Sequence, residues 1–600
     1  MKNRYHTLII GTGCAGYNAA DKLFDLGVRD IAIITEGRYM GTSRNTGSDK
    51  QTYYKLSLCG SDGDSVREMA DTLYSGGGVM GEHALCEAAY STRCFMRLVE
   101  LGVPFPTNEF GEYAGYKTDH DPRSRATSCG PLTSKYMTEA LERSVLNKGI
   151  EIIDRQRVIK IMTNNGVVTG IACAHTQSGD ISVIGCENVI LCTGGPACIY
   201  KNTVYPTSQH GATGLAIEAG ATLSNMDQWQ YGIASTKFRW NLSGTYQQVL
   251  PRYISIDENG VEREFLYEAL GDDSLGLIFL KGYQWPFDTG KLDGSSKIDI
   301  LVAKEVKEGK RVFLDFLHNP KGLEKGFDVL PTEAYSYLER SGALFGTPIQ
   351  RLEKMNFGAI ELYADHEIDL YNEYLEIAVC AQHCNGGVMV DQNWQSDVSG
   401  LYAAGEAAGT FGVYRPGGSA LNSTQVGSLR AAEHISKKRS KGVQAPIFAL
   451  PTVKYGRSNV KSIKYELQNE MNRVSDFDRS TSGMKALLDK VDKLSDNFFD
   501  VAVIENKSET AELFKLYDAL ITQRSVLSAM ICSAQNIGSH GSALVDNMPN
   551  GSINEIRCTR TLTKGAHSHI ENISPMPSPE LWFETLLERK RVELQNEKTN

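Results

Sequence analysis

Residues 413–432 read VYRPGGSALNSTQVGSLRAA, with Arg415 set before Pro416, Gly417, Gly418 and Ser419 and ahead of a run that opens like a helix. Proline fixes φ and glycine lets another group approach the backbone, so the stretch offers one guanidinium and several bare N–H groups to an anion. The alternative is a helix entry with a solvated arginine. A second glycine turn stands at the start of the chain. There Gly11, Gly13 and Gly16 form GxGxxG around Ala15, after the apolar run YHTLII and before Ala20, Leu23 and Leu26 at helical spacing. Glu36 closes the next apolar run, DIAIITEG. In such a unit the first glycine makes the tight turn, the second admits a pyrophosphate to a helix N-terminus, and the third lets helix and strand pack closely. The acid accepts hydrogen bonds from a ribose.

Strand, glycine turn, helix, strand is the first βαβ unit of a dinucleotide-binding fold. Further buried strands ending in glycine occur in ENVILCTGG at 187–195 and VSGLYAAG at 398–405, the latter followed by Glu406. Between them, residues 236–360 are rich in Trp, Tyr, Pro and Gly and interrupt the pattern. After about residue 450, apolar residues fall at helical spacing. The expected fold is α/β: a Rossmann-like FAD-binding domain in two parts, 1–235 and 361–448, interrupted by an α+β capping domain at 236–360 and followed by a helical C-terminal domain at 449–600.

With 41% hydrophobic and 22% charged residues, the 600-residue chain has the composition of a globular protein rather than a disordered one. A net charge of −10 argues against a nucleic-acid surface. The start, MKNRYHTLIIGTG, has no apolar leader and no window approaches a membrane span, so a cytoplasmic location without a direct span is expected. The thirteen cysteines contain no CxxC pair. Reduced thiols are therefore expected, and no metal or iron–sulfur ligation by this chain.

In chain order, GTGCAG, LCTGG (191–195), GLYAAGEAAG (400–409) and RPGGSALNS (415–423) resemble the flavoprotein subunit family of succinate dehydrogenase and fumarate reductase, which also holds L-aspartate oxidase and adenylylsulfate reductase. HGATGLAIEAGA and ICSAQNIGSHGSAL are similar to family segments more loosely. The resemblance implies FAD, with Glu406 on the ribityl chain and Ser419 with the Leu421 amide beside the isoalloxazine. It puts Ser43, Asn45, Gly47 and Ser48 around the pyrophosphate and flavin, and Val158, Thr193, Gly194 and Gly405 among the cofactor contacts. Arg415 then reaches over the flavin to a substrate anion, as a planar fork suited to carboxylates.

The chain also departs from the family. The family histidine four residues before Gly-Gly is Gln382 here, with His383 next to it. No His-Pro-Thr follows WQYGIAS (229–235), and the stretch comparable to the family's catalytic cap arginine, SSKIDILVAKE, offers only Lys297 and Asp299. In YKTDHDPRSRAT, His120 and Arg125 are either substrate ligands or members of a solvated loop, and QWPFD (284–288) is either a site wall or cap core. RYMGTSRNTG lacks the histidine that carries flavin covalently in some relatives, so noncovalent FAD is expected.

The expected function is hydride transfer between flavin N5 and a carbon of a small anionic substrate, foremost reduction of an activated C=C bond. The proton donors to consider are His383, His120 and Lys297, in that order. Alternatives are dehydrogenation of amino or hydroxy acids, and an electron-transfer subunit of a larger complex. The expected partner is a ferredoxin-like or iron–sulfur protein, because no second nucleotide motif and no cysteine cluster are present.

Overall fold

Arg4–Ile10 pairs in parallel with Ile31–Ile34 on one side and Ile181–Leu191 on the other, and Ile31–Ile34 in turn with Glu151–Ile153. The β-branched run explains these strands: Leu8, Ile9, Ala32, Ile33, Val189 and Ile190 are buried, as parallel strands covered on both faces require. The far edge of Ile181–Leu191 is shared. Its first half pairs antiparallel with Val167–His175, which pairs with Gln156–Asn164, and its second half pairs in parallel with Leu401–Ala403. The late strand thus joins the sheet built by the N-terminal part of the chain, next to the strand ends where the glycine turns lie. The structure, a computed structural model, describes residues 2–61, 63–440, 442–546, 551, 557–562 and 567–599.

A second sheet is antiparallel, in the order Trp240–Asn241, Trp229–Ser235, Leu375–Cys384, Arg311–Asp315, Arg252–Ile256, Glu262–Arg263. It has its own apolar core, from Ile233 and Tyr246 to Tyr363 and Ile377. Its strands reach beyond residues 236 and 360 on both sides, so the sheet itself runs into the site and no linker separates the two units. The kinked helix Pro348–Ala364 starts on a capping box between Thr347 and Gln350. At its kink, the Asn356 side-chain amide bonds the Asp49 carboxylate, which also accepts the Thr245 backbone N–H at 3.0 Å. That clamp ties the loop at 41–50 to the cap.

The helices Val460–Val474, Thr481–Asp496 and Thr510–Asn536 carry the apolar spacing expected after residue 450. The last of them packs against the helix Thr213–Ala219 of the first sheet's layer. The tail adds an element that the helical reading misses. Arg557–Leu562 and His567–Asn572 form an antiparallel hairpin that pairs with Leu223–Ser224. The helix Phe583–Thr599 follows.

Candidate functional site

A cavity of about 760 Å³ extends from the first glycine turn to Arg415. At one end the helix Cys14–Asp25 begins on Gly13 with no side-chain cap. Its first amide, of Cys14, donates to Ser43 Oγ at 3.3 Å. Gly11 has φ +111°, and a Cβ there would stand 2.4 Å from the Cys192 carbonyl oxygen; one at Gly16 would stand 2.0 Å from that of Gly11. Those two glycines serve the turn and its packing. A Cβ on Gly13 would meet only Ser43, with Oγ at 3.2 Å, so its bareness keeps open the space over the helix end.

Glu36 lines the same stretch but is not a free acceptor. Its Oε1 accepts from Arg157 Nη1 at 2.7 Å, and its Oε2 pairs with Lys515 Nζ at 2.6 Å. Burial works to raise this carboxyl, but the two cations outweigh it and hold it down at about 2. A carboxylate has about four lone-pair sites, so room for a ribose hydroxyl remains. Arg157 and Lys515 stand far along the chain in segments without a local motif, and sequence reasoning misses both. His210 also lines the cavity; its Nδ1 is buried without a partner, and burial, with Lys515 next, pushes the ring down to about 3.

In the loop at 41–50, Ser43, Gly47 and Ser48 line the cavity. Asn45 does not: it is exposed, and its Nδ2 donates to the carbonyls of Tyr39 (2.9 Å) and Gly41 (3.0 Å), holding the loop from outside. Ala15, Val158, Thr193, Gly194, Gly405, Glu406 and Leu421 all line the cavity. Leu421 turns its N–H back to the Gly418 carbonyl at 3.1 Å. Ser419 is buried beside the cavity without lining it, and Ala420 stands there instead. Glu406 Oε1 accepts from the Cys384 N–H at 2.9 Å and from the Tyr205 hydroxyl, and burial raises its pKa. The helix end that Gly13 leaves without a side-chain cap of its own, the space over Gly13, and the unpartnered Thr42 Oγ1 and His210 Nδ1 form a cradle that fits a dinucleotide such as FAD.

At the other end, Arg415 makes no ion pair within 4.0 Å among the described residues, and its Nε has no hydrogen-bond partner. Burial presses it down to about 10, against the pull of Glu406, so it is cationic at neutral pH. Its guanidinium carbon lies 5.8 Å from the centroid of Phe411, whose ring His383 meets edge to face at 4.9 Å. His383 enters the cavity through a β-bulge. Gln230 pairs with His383 and Tyr231 with Ala381, so Gln382 is an extra residue on its strand. Regular alternation would point Gln382 and His383 to opposite faces; here both line the cavity with Gln230.

The imidazole of His383 is fixed by Asn385, two residues on. Asn385 Nδ2 donates to the Gly412 carbonyl at 2.7 Å, which aims Oδ1 at His383 Nδ1, 2.9 Å away. Nδ1 therefore carries the hydrogen, and Nε2 is an acceptor, buried without a hydrogen-bond partner and 4.0 Å from Glu406 Oε1. Burial, with Arg415 next, holds the ring far below the ordinary histidine range. As neutral imidazole it receives hydrogen bonds rather than supplying protons.

His120 lines the cavity with φ +61°, its ring 4.8 Å from that of Tyr414 and its Nε2 3.6 Å from Asp119 Oδ2. Lys291 pairs with that Asp119 oxygen and stands 3.7 Å from Asp288, which accepts from the Tyr414 hydroxyl at 3.0 Å. Trp285 is a wall of the site and part of the cap at once. It lines the cavity, lies against Gly232, and donates to the Ile233 carbonyl at 3.3 Å.

Two expected ligands stand elsewhere. Arg125 is fully buried outside the cavity. Its guanidinium is taken up by Asp64 at 2.8 and 2.9 Å, by Asp121 and the Tyr54 hydroxyl at 3.1 Å, and by Thr72 at 2.9 Å. Lys297 lies on the outer side of the helix Ser296–Lys307, its side chain 40% exposed and 4.0 Å from Asp293. No group of three or more metal-ligating side chains occurs among the described residues, and none of their helices is long and apolar enough to cross a membrane.

A family model described as FAD binding domain matches residues 6–421. The chain is 25% identical over 558 residues to a fumarate reductase (CoM/CoB) subunit of Methanothermobacter marburgensis, covering 89% of this chain and 93% of that one. It is 24% identical over 449 residues to an L-aspartate oxidase of Agrobacterium fabrum, covering 73% and 74%. Among solved structures, a chain of E. coli quinol fumarate reductase superposes with a TM-score of 0.70 at 18% identity, covering 96% of this chain and 97% of that chain. Adenylylsulfate reductase from Archaeoglobus fulgidus does so at 0.61 and 13%, covering 97% of each. The fold expected from the four glycine-rich motifs is the fold these structures share.

Proposed function

The chain belongs to the family of FAD binding domains, matched over residues 6–421, and from that premise we propose that it transfers hydride between flavin N5 and a carbon of a small anionic substrate, foremost in reducing an activated C=C bond. The observation that carries this reading is Arg415, a cation in the cavity with no carboxylate of its own within 4.0 Å among the described residues. Gly13 and Ser43 would hold the pyrophosphate, Glu36 the ribose, and Glu406 the ribityl chain. The chemistry that bound FAD supplies is two-electron transfer as hydride.

Arg415 orients the substrate by its anionic group, and Trp285 closes the cap side of the cavity. The proton for the second carbon comes from the cap side through His120, which Asp119 and Lys291 connect to Asp288 and Tyr414. His383 is a poor donor because its Nε2 bears no hydrogen, and Lys297 is out of reach. The resemblance to a protein named as one subunit of a fumarate reductase supports electron delivery by a partner, ferredoxin-like or iron–sulfur. A reducing, cytoplasmic setting suits the free cysteines. The flavin is held without a covalent bond, since no histidine stands in the loop at 38–47; acid precipitation should release it intact.

A second reading, dehydrogenation of an amino or hydroxy acid, is supported by His383 Nε2, which bears no hydrogen and can accept one. Anaerobic dye-linked assays separate the two. Oxidation of a reduced dye by unsaturated acids is expected; dye reduction by amino or hydroxy acids alone would replace the first reading with the second.

A further inference from the structure

Two acceptors at the substrate end of the cavity have nothing to accept from. Gln382 Oε1 and His383 Nε2 are buried without a hydrogen-bond partner, on side chains of residues only 7% and 8% exposed. Neither can become a donor by turning over. Gln382 Nε2 donates to the Gly232 carbonyl at 2.9 Å, and a flip would set oxygen against oxygen. His383 is locked by Asn385, itself locked by Gly412. The bulge at Gln382 brings both side chains to the cavity that Arg415 also lines, and His383 and Arg415 both lie against Phe411.

Arg415 and these two acceptors together select a ligand. A dicarboxylate has only acceptor oxygens at neutral pH. One carboxylate suits Arg415, but the other meets a carbonyl oxygen and an imidazole lone pair, and buried acceptors left unmade are costly. We infer that the substrate of this site is a mono-anion that carries an N–H or O–H donor, such as the half-amide of an unsaturated diacid, with its carboxylate on Arg415 and its donor on Gln382 and His383. What happens after binding rests on the hydride-transfer reading above; the binding preference does not.

The test uses matched pairs on the flavin-loaded protein. Succinate and succinamate differ by one amide and lack the reducible bond, so perturbation of the flavin absorbance reads their binding alone. Succinamate should bind about 100-fold more tightly than succinate, the scale on which a site with built hydrogen-bonding groups rejects an analogue that cannot meet them. In Gln382→Leu the preference should fall to about tenfold or less, with flavin retained. Equal affinities, preference for succinate, or binding of neither overturns the inference. So does a Gln382→Leu protein that sheds flavin while keeping the preference, which would give the acceptor to the cofactor. Fumarate and fumaramate then test turnover. If fumaramate fails to oxidise a reduced dye while succinamate keeps its advantage, the reduction reading falls and the donor requirement stands.

Discussion

Asn385 Oδ1 lies 2.9 Å from His383 Nδ1, and the amide that places it there is anchored on the Gly412 carbonyl. The contact decides which nitrogen of His383 is left without a partner, although Asn385 itself does not line the cavity.

Replacing Asn385 by leucine frees the ring to swap tautomers. Flavin should be retained and kcat/KM should fall by about tenfold. Asn385→Asp gives the more telling result. A carboxylate favours the imidazolium, so the pKa of His383 rises from its depressed position and the ring is lost as an acceptor when pH falls through the new value. The acid limb of the kcat/KM profile should move to higher pH. A profile identical to that of the parent would remove His383 from the reaction.

Arg415→Ala should keep the flavin spectrum and lose about tenfold to a hundredfold in kcat/KM, the equivalent of a charge-assisted contact worth about 1.5–3 kcal/mol. Lysine should rescue only part, lacking the planar fork. Loss of flavin in these variants would make the residue structural.

Gly13→Val and Gly11→Ala should fail in different ways. At Gly13 an added Cβ meets only Ser43, so the chain should fold, with unchanged circular dichroism, but bind no flavin. At Gly11 the backbone sits at φ +111° and a Cβ would press on the Cys192 carbonyl at 2.4 Å, so the melting temperature itself should fall. A yellow Gly13→Val protein would displace the cofactor from this helix end.

Glu36 has its pKa lowered to about 2, from an ordinary 4.5. A depressed carboxyl contributes stability that is fully present above its unfolded value and lost as pH falls through its folded one, here about 3 kcal/mol between roughly pH 5 and pH 2. Lys515→Met removes one of its two cations and should shift acid unfolding to higher pH. Coincident acid transitions for parent and variant would show that the pair carries no stability.

What could be read in advance follows from how local each signal is. The glycine turn, its flanking strand and helix, and Glu36 lie within residues 5–36, and each implies the next. Arg125 reads as a ligand because its partner Asp64 is 61 residues away and leaves no trace in the loop that carries the arginine. Gln382 stands where the family keeps a histidine, but the bulge that brings both it and His383 into the cavity is a matter of register with a strand some 150 residues earlier. Motif position alone would put Asn45 in contact with a cofactor; the loop's own hydrogen bonds hold it on the outside. The hairpin from Arg557 to Asn572 mixes arginine, threonine and histidine, with little apolar pattern to announce a sheet.

The pairing of Glu36 with Lys515 also sets an order of events during synthesis. Glu36 precedes Arg157 and Lys515 in the chain, so its first cation follows 121 residues later and its second only at residue 515. Until the helix Thr510–Asn536 settles on the sheet, Glu36 and Arg157 face each other without the third charge, and Arg157 lacks Asp518 at 3.7 Å. A chain cut before Lys515 therefore keeps Arg157 on Glu36 but loses the second cation that holds this carboxyl down.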